Sequence, residues 1–338
     1  MINEKRFEEI LSQFQSLNPV MVVGDVGVDK YTYGEVRRIS PEAPVPVLEV
    51  SKEWHKLGLA ANVTDNLQSL GVASTLCGII GDDNMGNTFE HLLEEHRLKT
   101  WGLVRVSNRS TILKERVITN TQQICRIDYE SKENIDEETK SKLLSRTKSL
   151  NNNHSALIIE DYGKGLISED VSQALINNYL EMGKIICVDP SRTTPPLWYK
   201  GATLLKPNRV EAMMMVEHLG YKEKDISKIA SILVEKLHLK KIIITLSSEG
   251  MALLDTEKDG KIHIIPTVAN EVFDVSGAGD TAISAITASL IAGASLEEAA
   301  WIGNCASGVV VGKKGTALVN QEELKLFYQN LKLKLKDA

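Results

Sequence analysis

The sequence has few of the features that mark secreted, membrane-spanning or nucleic-acid-binding proteins. Its four cysteines, Cys77, Cys125, Cys187 and Cys305, include no CxxC pair and form no Cys/His cluster with zinc spacing. No apolar run reaches the ~20 residues needed to cross a bilayer, and the amphipathic segment 1–17 is too charged for a signal peptide. Basic residues are scattered in a chain of net charge -6. We therefore expect a cytoplasmic protein with buried free thiols and with no membrane or nucleic-acid partner.

What the sequence does contain is a regular alternation of strands and helices. Its 338 residues are 43% hydrophobic, enough for one large α/β domain or two small ones. Short apolar runs predict strands at 20–23, 74–80, 156–160, 184–189, 202–205 and 241–246. Helical spacing predicts helices at 7–17, 60–70, 84–96, 168–182, 209–218 and 225–237, and from about 278 onward. This order is typical of βαβ units with a largely parallel sheet.

Two stretches, 31–50 and 111–128, break this alternation. The first contains three prolines and alternating valines, and the second alternates polar and apolar residues without helical period. Both predict strands outside the main sheet, either as a small β lid over a cleft or as an antiparallel edge of the main sheet. Because there is no low-complexity linker and no internal repeat, we expect a single domain over 1–338 that carries this lid.

The segment Asp274–Thr281 carries the sharpest chemical signal. A β-like run over 271–274 leads through Gly277, Ala278 and Gly279 into a helix of small residues. Glycines permit a tight turn, and the start of the helix presents backbone N–H groups that suit an anion. A carboxylate at Asp280 would repel phosphate unless it accepts a proton from an attacking hydroxyl. The alternative interpretation is an ordinary first-turn carboxylate.

Two other nucleotide motifs are weaker matches. The run 277–282 also satisfies the loose Gly-x-Gly-x-x-Gly/Ala dinucleotide fingerprint, but it lies far from the first strand of the chain. A Walker A loop is absent, since Gly312-Lys313 lacks the required Ser or Thr. A dehydrogenase is therefore the less favoured hypothesis.

The segment Asp274–Asp280 resembles the C-terminal signature of ribokinase-like (PfkB) sugar kinases. The resemblance runs from about Val20 to Leu324. It implies a three-layer α/β sandwich with a mostly parallel central sheet and a small β lid, and it implies ATP and Mg²⁺. It also implies that Asp280 is the catalytic base and that Gly277, Ala278 and Gly279 form the anion hole.

The same resemblance implies a nucleotide and metal site. Asn208-Arg209-Val210-Glu211 matches the family's Asn-x-x-Glu, which positions Mg²⁺ largely through water, although such a tetrapeptide alone is more often a helix cap. The implied nucleotide contacts are Asn208, Thr245, Ser247, Gly250 and Asn304. Asp274 and Ser276, with 312–316, are candidates to border a monovalent cation such as K⁺.

On the sugar side, the first predicted strand ends in Gly24-Asp25-Val26-Gly27-Val28-Asp29. Asp25 and Asp29 would lie at the carboxyl edge of the sheet, where ligands bind in open α/β sheets; a turn-capping role competes for Asp25. Gly58 and Asn62 match the family's N-terminal signature. Leu59 replaces the second glycine of that signature, which leaves the sugar packing there open.

Within the family, the chain resembles heptose-phosphate kinases of lipopolysaccharide precursor synthesis. The resemblance rests on the segments 38–47, 114–118, 122–128 and 161–165. It implies phosphorylation at O1 of D-glycero-D-manno-heptose 7-phosphate. The sugar contacts expected from these segments are Arg38, Lys114, Arg116, Arg126, Asp161 and Lys164, of which the basic residues would pair with the phosphate of the substrate.

Several questions stay open at this point. A kinase for ribose, fructose or a phosphorylated ketose has the same fold, and so does a non-catalytic sugar-binding regulator. The length of the chain leads us to expect a stand-alone kinase without a nucleotidyltransferase domain. Exposed lid strands favour a homodimer.

Overall fold

A computed structural model describes residues 2–269, 272–313 and 315–336 of the chain. Strands β1–β13 span Val20–Gly24, Val26–Ile39, Pro46–Leu59, Ser74–Gly81, Gly102–Val106, Ile112–Ile118, Gln123–Tyr129, Ala156–Glu160, Ile185–Asp189, Leu204–Leu205, Lys241–Thr245, Met251–Asp255 and Ile262–Ile265. Helices α1–α10 span Glu4–Gln13, Ala60–Ser69, Asn84–Glu95, Glu137–Leu150, Glu169–Glu181, Arg209–His218, Ile226–Leu237, Ala278–Ile291, Leu296–Val311 and Gln321–Lys336.

A large sheet runs through the middle of the molecule in the order β13-β12-β11-β10-β9-β8-β1-β4-β5. All pairs from β11 to β5 are parallel, and β12 and β13 extend the sheet with antiparallel pairs. The chain moves from β1 toward β5 on one side and later from β8 toward β11 on the other. Such a reversal of direction leaves a crevice at the carboxyl ends of the strands, where ligands bind in open α/β sheets.

Helices cover both faces of this sheet, which gives the expected three-layer α/β fold. The alternation within β1 shows the arrangement, because Val20 and Val22 belong to one hydrophobic cluster and Met21 and Val23 to the other. The first cluster includes side chains of α1, α2, α3, α8, α9 and α10. The second includes side chains of α4, α5, α6 and α7.

A separate sheet, here called the small sheet, has the order β3-β2-β6-β7. The pairs β2–β3 and β6–β7 are antiparallel, whereas β2–β6 is parallel. Its strands extend beyond the predicted stretches, since β2 already begins at Val26 and β3 continues to Leu59. Exposed apolar side chains are frequent in this region and include Ile39, Val45, Val50, Ile127 and Tyr129. A homodimer through these strands stays a prediction.

Some sequence expectations fail locally. The expected β-like run is wrong where it can be checked, because Val272–Asp274 is not a strand and Glu271 lies outside the described residues. Cys125 is exposed on β7, whereas the other three cysteines are buried free thiols as expected. The sequence analysis also did not identify α4, β5, β12 and β13. Within the described ranges, no helix is both long and apolar enough to span a membrane.

Candidate active site

A cleft of about 1140 Å³ opens at the carboxyl edge of the large sheet. Its floor is formed where β8, β9 and β10 end, at Glu160, Asp189 and Lys206. The first turn of α8, with Gly279 and Asp280, forms one wall. The cleft therefore brings together strand ends that are far apart in sequence.

The turn before α8 has the geometry that its glycines allow. Gly277 caps the helix with φ of 80°, in the left-handed region that favours glycine. A Cβ at Gly277 would lie 2.9 Å from the amide nitrogen of Asn62, so a side chain there would displace Asn62. The Gly279 N–H lies in the first turn of α8 and is among those that have no partner within the helix, whereas the Ala278 N–H donates to the Val275 oxygen at 3.2 Å.

Asp280 lies half-buried in the cleft, with one hydrogen-bond donor on each carboxylate oxygen. Asn62 Nδ2 donates to Oδ2 at 2.6 Å, and the Tyr162 hydroxyl donates to Oδ1 at 2.9 Å. Burial raises the pKa of Asp280 above its ordinary value of 3.8, the Asn62 hydrogen bond opposes that rise, and the charge of Asp189 adds to it. The carboxylate is thus fixed in orientation and more basic than a solvated aspartate.

A chain of hydrogen bonds sets the orientation of the Asn62 amide. The Thr281 hydroxyl donates to Asn66 Oδ1 at 2.8 Å. The Asn66 amide nitrogen then donates to Asn62 Oδ1 at 3.3 Å and to its backbone oxygen at 2.8 Å. Since its oxygen is an acceptor in this chain, Asn62 must turn its amide nitrogen toward Asp280. Helices α2 and α8 together therefore hold the carboxylate.

Lys206 and Asp189 form a buried ion pair in the floor of the cleft. Lys206 Nζ lies 2.6 Å from Asp189 Oδ2, and the two side chains are 4% and 14% exposed. A Cβ at Gly279 would lie 3.7 Å from that nitrogen and 3.8 Å from that oxygen. Burial opposes the charge on Lys206, but the adjacent Asp189 raises its pKa overall. The ammonium group thus faces the turn that presents the N–H groups of α8.

Glu160 is the unusual member of the floor. The residue is buried, and its Oε2 has no hydrogen-bond partner among the residues that the structure describes. Burial first, and then the charges of Asp189 and Asp280, raise the pKa of Glu160 well above its ordinary value. An isolated buried carboxylate is strongly disfavoured, so this side chain favours its protonated form.

Asn208 and Glu211 lie at the start of α6 and line the cleft. Glu211 N donates to Asn208 Oδ1 and Asn208 N donates to Glu211 Oε2, both at 2.9 Å, which is a capping box. The alternative interpretation of the tetrapeptide as a helix cap is therefore present in the structure. The box uses one polar atom of each side chain and leaves the Asn208 amide nitrogen and the second Glu211 oxygen outside it.

The remaining predicted nucleotide residues line the same cleft. Thr245 ends β11 and bridges to Asn208. Ser247 and Gly250 have φ of 57° and 98°, and a Cβ at Gly250 would meet the Ile265 oxygen at 2.0 Å. Asn304, on α9, donates to the Pro266 oxygen at 2.7 Å.

Asp274 and Ser276 lie in a local turn. Ser276 N donates to Asp274 Oδ1 at 2.9 Å, and Gly315 N donates to Oδ2 at 3.2 Å. Burial opposes ionisation of Asp274, but these N–H groups lower its pKa. Of the neighbouring segment 312–316, Lys314 lies outside the described residues. No group of three or more His, Cys, Asp or Glu side chains with metal-binding geometry occurs in the described part of the chain.

Asp29 and Arg116 form an ion pair on the inner part of the small sheet. Arg116 Nη1 lies 2.7 Å from Asp29 Oδ1, and both side chains are largely buried. A Cβ at Gly58, on the paired strand, would lie only 3.2 Å from the Asp29 carboxyl carbon. Gly58 therefore makes room for the Asp29 carboxylate.

Asp25 instead binds the backbone of the loop after β8. It is 2% exposed and accepts the N–H groups of Tyr162 and Lys164 at 3.1 Å and that of Leu166 at 3.4 Å. Burial and the nearby Asp161 raise its pKa to about 6. The turn-capping alternative for Asp25 thus has direct geometric support.

Asp161 has a similar role beside it. Its carboxylate accepts the Tyr199 hydroxyl at 2.6 Å, the Thr194 hydroxyl at 2.7 Å and the Gly163 N–H at 2.7 Å. These contacts hold the loop 161–166 against the segment after β9.

The predicted basic residues divide into paired and unpaired ones. Lys164 Nζ lies 2.5 Å from Glu130, and Arg126 lies 2.8 Å from Asp128. Arg38 is in the exposed outer part of β2. Lys114 is half-buried, and its ammonium group lies 5.4 Å from the centre of the Tyr162 ring. No ion pair joins Lys114 to a carboxylate in the described parts of the chain, and burial lowers its pKa.

Four residues of the site received no functional role from the sequence: Glu160, Tyr162, Asp189 and Lys206. Glu160 and Asp189 end predicted strands, and Lys206 follows one directly. A charged residue where a buried strand ends at the carboxyl edge is a signal that could have identified these three. Tyr162 has no such signal, because its contact with Asp280 spans 118 positions.

Comparison with known proteins gives a consistent result. A family model described as pfkB family carbohydrate kinase matches residues 19–323. The bifunctional protein HldE of Helicobacter pylori (strain J99) is 39% identical over 310 residues, covering 92% of this chain and 66% of the relative. HldE of Paramagnetospirillum magneticum is 37% identical over 319 residues, covering 94% of this chain and 65% of the relative. The chain thus spans just under two thirds of the length of these relatives.

Solved structures support the fold. Phosphofructokinase-2 from Escherichia coli in complex with potassium matches with a TM-score of 0.76 at 19% identity, covering 94% of this chain and 99% of that one. Ribokinase from Thermotoga maritima matches with a TM-score of 0.70 at 20% identity, covering 93% and 100%. These similarities establish a ribokinase-like architecture for the described residues.

Proposed function

We propose that this chain, which belongs to the pfkB family of carbohydrate kinases, transfers the γ-phosphoryl group of ATP to O1 of D-glycero-D-manno-heptose 7-phosphate. Membership of the family makes it a phosphotransferase that acts on a sugar hydroxyl; the particular sugar is the proposal. The observation that carries the proposal is the position of Asp280, half-buried at the N-terminus of α8 and facing the cleft.

Asp280 is the proposed general base. Its raised basicity suits proton acceptance from a sugar hydroxyl, because a base is most effective when its pKa approaches the working pH. The Lys206 ammonium lies next to Gly279, and this cation and the N–H groups of 277–279 form the proposed anion site. They would stabilise negative charge on the transferred group, which is the main task in phosphoryl transfer.

The nucleotide would lie across the ends of β9–β11. Asn208, Thr245, Ser247, Gly250 and Asn304 line that part of the cleft. Magnesium that accompanies ATP would neutralise charge on the phosphate oxygens. The Glu211 oxygen outside the capping box is a hydrogen-bond acceptor suited to the water molecules around such an ion. Asp274 and Ser276 stay candidates for bordering a monovalent cation.

The sugar would lie under the small sheet, which would act as a lid that excludes water. Asp29, Gly58 and Asn62 are the proposed hydroxyl contacts, and Asp25 and Asp161 shape the loop beside them. Lys114 is the proposed partner of the substrate phosphate, because it is half-buried without an acidic partner in the described residues. Arg116 and Lys164 would join it by leaving their present carboxylates, and Arg38 and Arg126 are the outermost candidates.

The choice of sugar has two supports. The lid segments resemble those of heptose-phosphate kinases, and the matching relatives are named HldE. A kinase for ribose, fructose or a phosphorylated ketose is the competing function, because the structural similarity extends to phosphofructokinase-2 and ribokinase.

Asp280→Asn tests the proposed chemistry. The amide keeps the shape of the side chain but cannot accept the proton, so kcat should fall by about 10²–10⁴ while binding of the sugar persists. Steady-state kinetics and calorimetric titration on the same preparations measure the two quantities. A D280N variant with near-wild-type turnover would remove Asp280 as the base.

A panel of sugars tests the substrate. Wild-type enzyme with Mg²⁺-ATP should phosphorylate heptose 7-phosphate at O1, and unphosphorylated heptose should react with a much higher KM. Turnover on ribose or fructose with none on heptose 7-phosphate would replace the proposed substrate with the competing one.

A further inference from the structure

We propose that Tyr162 is a positioning residue that holds the catalytic carboxylate and links it to the lid. This inference rests on the proposed role of Asp280 as the base. The juxtaposition behind it is direct, since the Tyr162 hydroxyl contacts Asp280 and its ring faces Lys114 of β6. One side chain thus touches both the base and the small sheet.

The backbone of Tyr162 is held firmly. Its N–H donates to Asp25, and Asp25 also accepts the N–H groups of Lys164 and Leu166. Arg109 adds a hydrogen bond to the Lys164 oxygen. Because these contacts fix the loop, the phenol has a defined place from which to reach Asp280.

The hydroxyl acts as a donor at this position. Burial and the charge of Asp280 raise the pKa of Tyr162 well above its ordinary value, so the phenol keeps its proton. With Tyr162 on Oδ1 and Asn62 on Oδ2, rotation of the carboxylate would break a hydrogen bond on each side. The remaining lone pairs are then presented to the cleft in one orientation, which suits acceptance of a proton from a bound hydroxyl.

The contact with Lys114 joins this arrangement to the lid. The ammonium group lies 5.4 Å from the ring centre, within the range of a cation–π interaction. Lys114 pairs in register with Asp29 on β2, the strand that carries the Asp29–Arg116 ion pair. A substrate phosphate that binds Lys114 would therefore contact the residue that packs on Tyr162, and Tyr162 in turn holds Asp280.

Tyr162→Phe isolates the hydroxyl because the ring remains. We expect kcat to fall about 10- to 100-fold, the range for loss of a hydrogen bond to a charged group, with KM for the sugar within about twofold. Loss of a donor that stabilises the charged form raises the pKa of Asp280, so the acidic limb of the kcat–pH profile should move to higher pH. A purely structural role would lower activity without moving that limb.

Tyr179→Phe is the matched control. Tyr179 is buried on α5 and its hydroxyl contacts Met21 in the core, away from the cleft. This variant should keep the wild-type kcat and pH profile. Wild-type kcat and an unmoved pH limb in Y162F would overturn the assignment of Tyr162.

The link to the lid is tested by Lys114→Met, which keeps an unbranched side chain and removes the charge. We expect K114M to raise KM for the phosphorylated sugar and also to lower kcat, with the effects of K114M and Y162F on kcat non-additive in the double variant. Additive effects would overturn the link.

Because D280N tests the base independently, the two proposals can fail separately. Retained turnover in D280N would show failure of the proposed function. Wild-type behaviour of Y162F together with an inactive D280N would show failure of this inference alone.

Discussion

Two ion pairs of the small sheet, Lys30–Glu53 and Arg37–Glu35, include an exposed side chain. In contrast, Lys206–Asp189 in the floor of the large sheet is largely buried, as is Asp29–Arg116 on the inner part of the small sheet. On the small sheet, Lys30 lies 2.8 Å from Glu53 and 3.1 Å from Glu115, and Arg37 forms a solvent-exposed ion pair with Glu35. In the floor of the cleft, Lys206 and Asp189 form a buried ion pair, and Glu160 Oε2 has no hydrogen-bond partner among the described residues.

The difference follows from where water can reach. Exposed ion pairs contribute little to folding, because water solvates the charges equally well when they separate. Buried charges cost free energy unless every polar atom is satisfied, and they persist in the floor beside a cleft that a charged ligand would fill. The comparison therefore identifies the buried ion pairs beside the cleft, rather than the exposed pairs of the small sheet, as the places where single charges matter most.

The largest expected effect comes from Lys206→Met. Removing one partner of a buried ion pair leaves Asp189 uncompensated, which should lower the free energy of unfolding by about 3–5 kcal/mol. Turnover should also fall by at least about 100-fold, because the cation next to the α8 turn is lost. Denaturant unfolding and steady-state kinetics measure the two effects.

Lys30→Met is the matched control on the small sheet. Because Glu53 is 47% exposed and Glu115 keeps the hydrogen bond from the Thr32 hydroxyl, K30M should shift the melting temperature by no more than about 2 °C. The double variant D189N/K206M should recover much of the lost stability without recovering turnover. Equal destabilisation by K30M and K206M would end the contrast between the two regions.

The second expected effect is a pH dependence that comes from Glu160. The pKa of this group in the folded protein lies well above its ordinary value of 4.5. Its contribution to stability is therefore fully present below about pH 4.5 and is lost as pH rises through the raised pKa. Glu160→Gln cannot ionise, so E160Q should match the wild type near pH 4 and exceed its unfolding free energy by about 1–3 kcal/mol at pH 8.

The opposite sign is expected at Glu257, which lies in the turn after β12. Hydrogen bonds from Lys241 and Lys240 lower the pKa of Glu257 to about 2. Its contribution is present above about pH 4.5 and is lost only as pH falls toward 2, so Glu257→Gln should bring no gain at pH 8. Thermal unfolding of the ligand-free proteins at both pH values compares the two variants, and a pH-independent difference between E160Q and the wild type would contradict a raised pKa.

The sequence predicted six of the nine strands described in the large sheet, because their signals are local. Helix α6 spans Arg209–His218 as predicted, since Asn208 and Glu211 cap it through neighbouring atoms. Strand β8 likewise matches 156–160, a short apolar run that ends in a charge. Asp280 and the glycine turn could be placed for the same reason, because the turn and the helix start are adjacent in sequence.

The parts that escaped prediction depend on distant contacts. The parallel pairing of β2 with β6 and the bond from Tyr162 to Asp280 join segments that no local pattern relates. The run 272–274 was misjudged because Val272 and Phe273 are apolar but exposed near the cleft, rather than buried in a strand. Glu160 shows the same limit, since only the folded structure reveals that its oxygen lacks a partner.

The smallest effect is expected at Leu59, where the small sheet joins α2. This residue has φ of 59° and ψ of -137°, a conformation that suits glycine, and its side chain is buried. Leu59→Gly and Leu59→Ala both remove the side-chain atoms beyond Cβ, but only glycine also lacks Cβ and relieves the backbone strain. L59G should therefore be more stable than L59A by about 1–2 kcal/mol. Denaturant unfolding of the two variants measures this difference directly. If L59A proved as stable as L59G, the junction would relax without cost, and the small sheet would be less rigidly tied to Asn62 and the catalytic cleft than its backbone indicates.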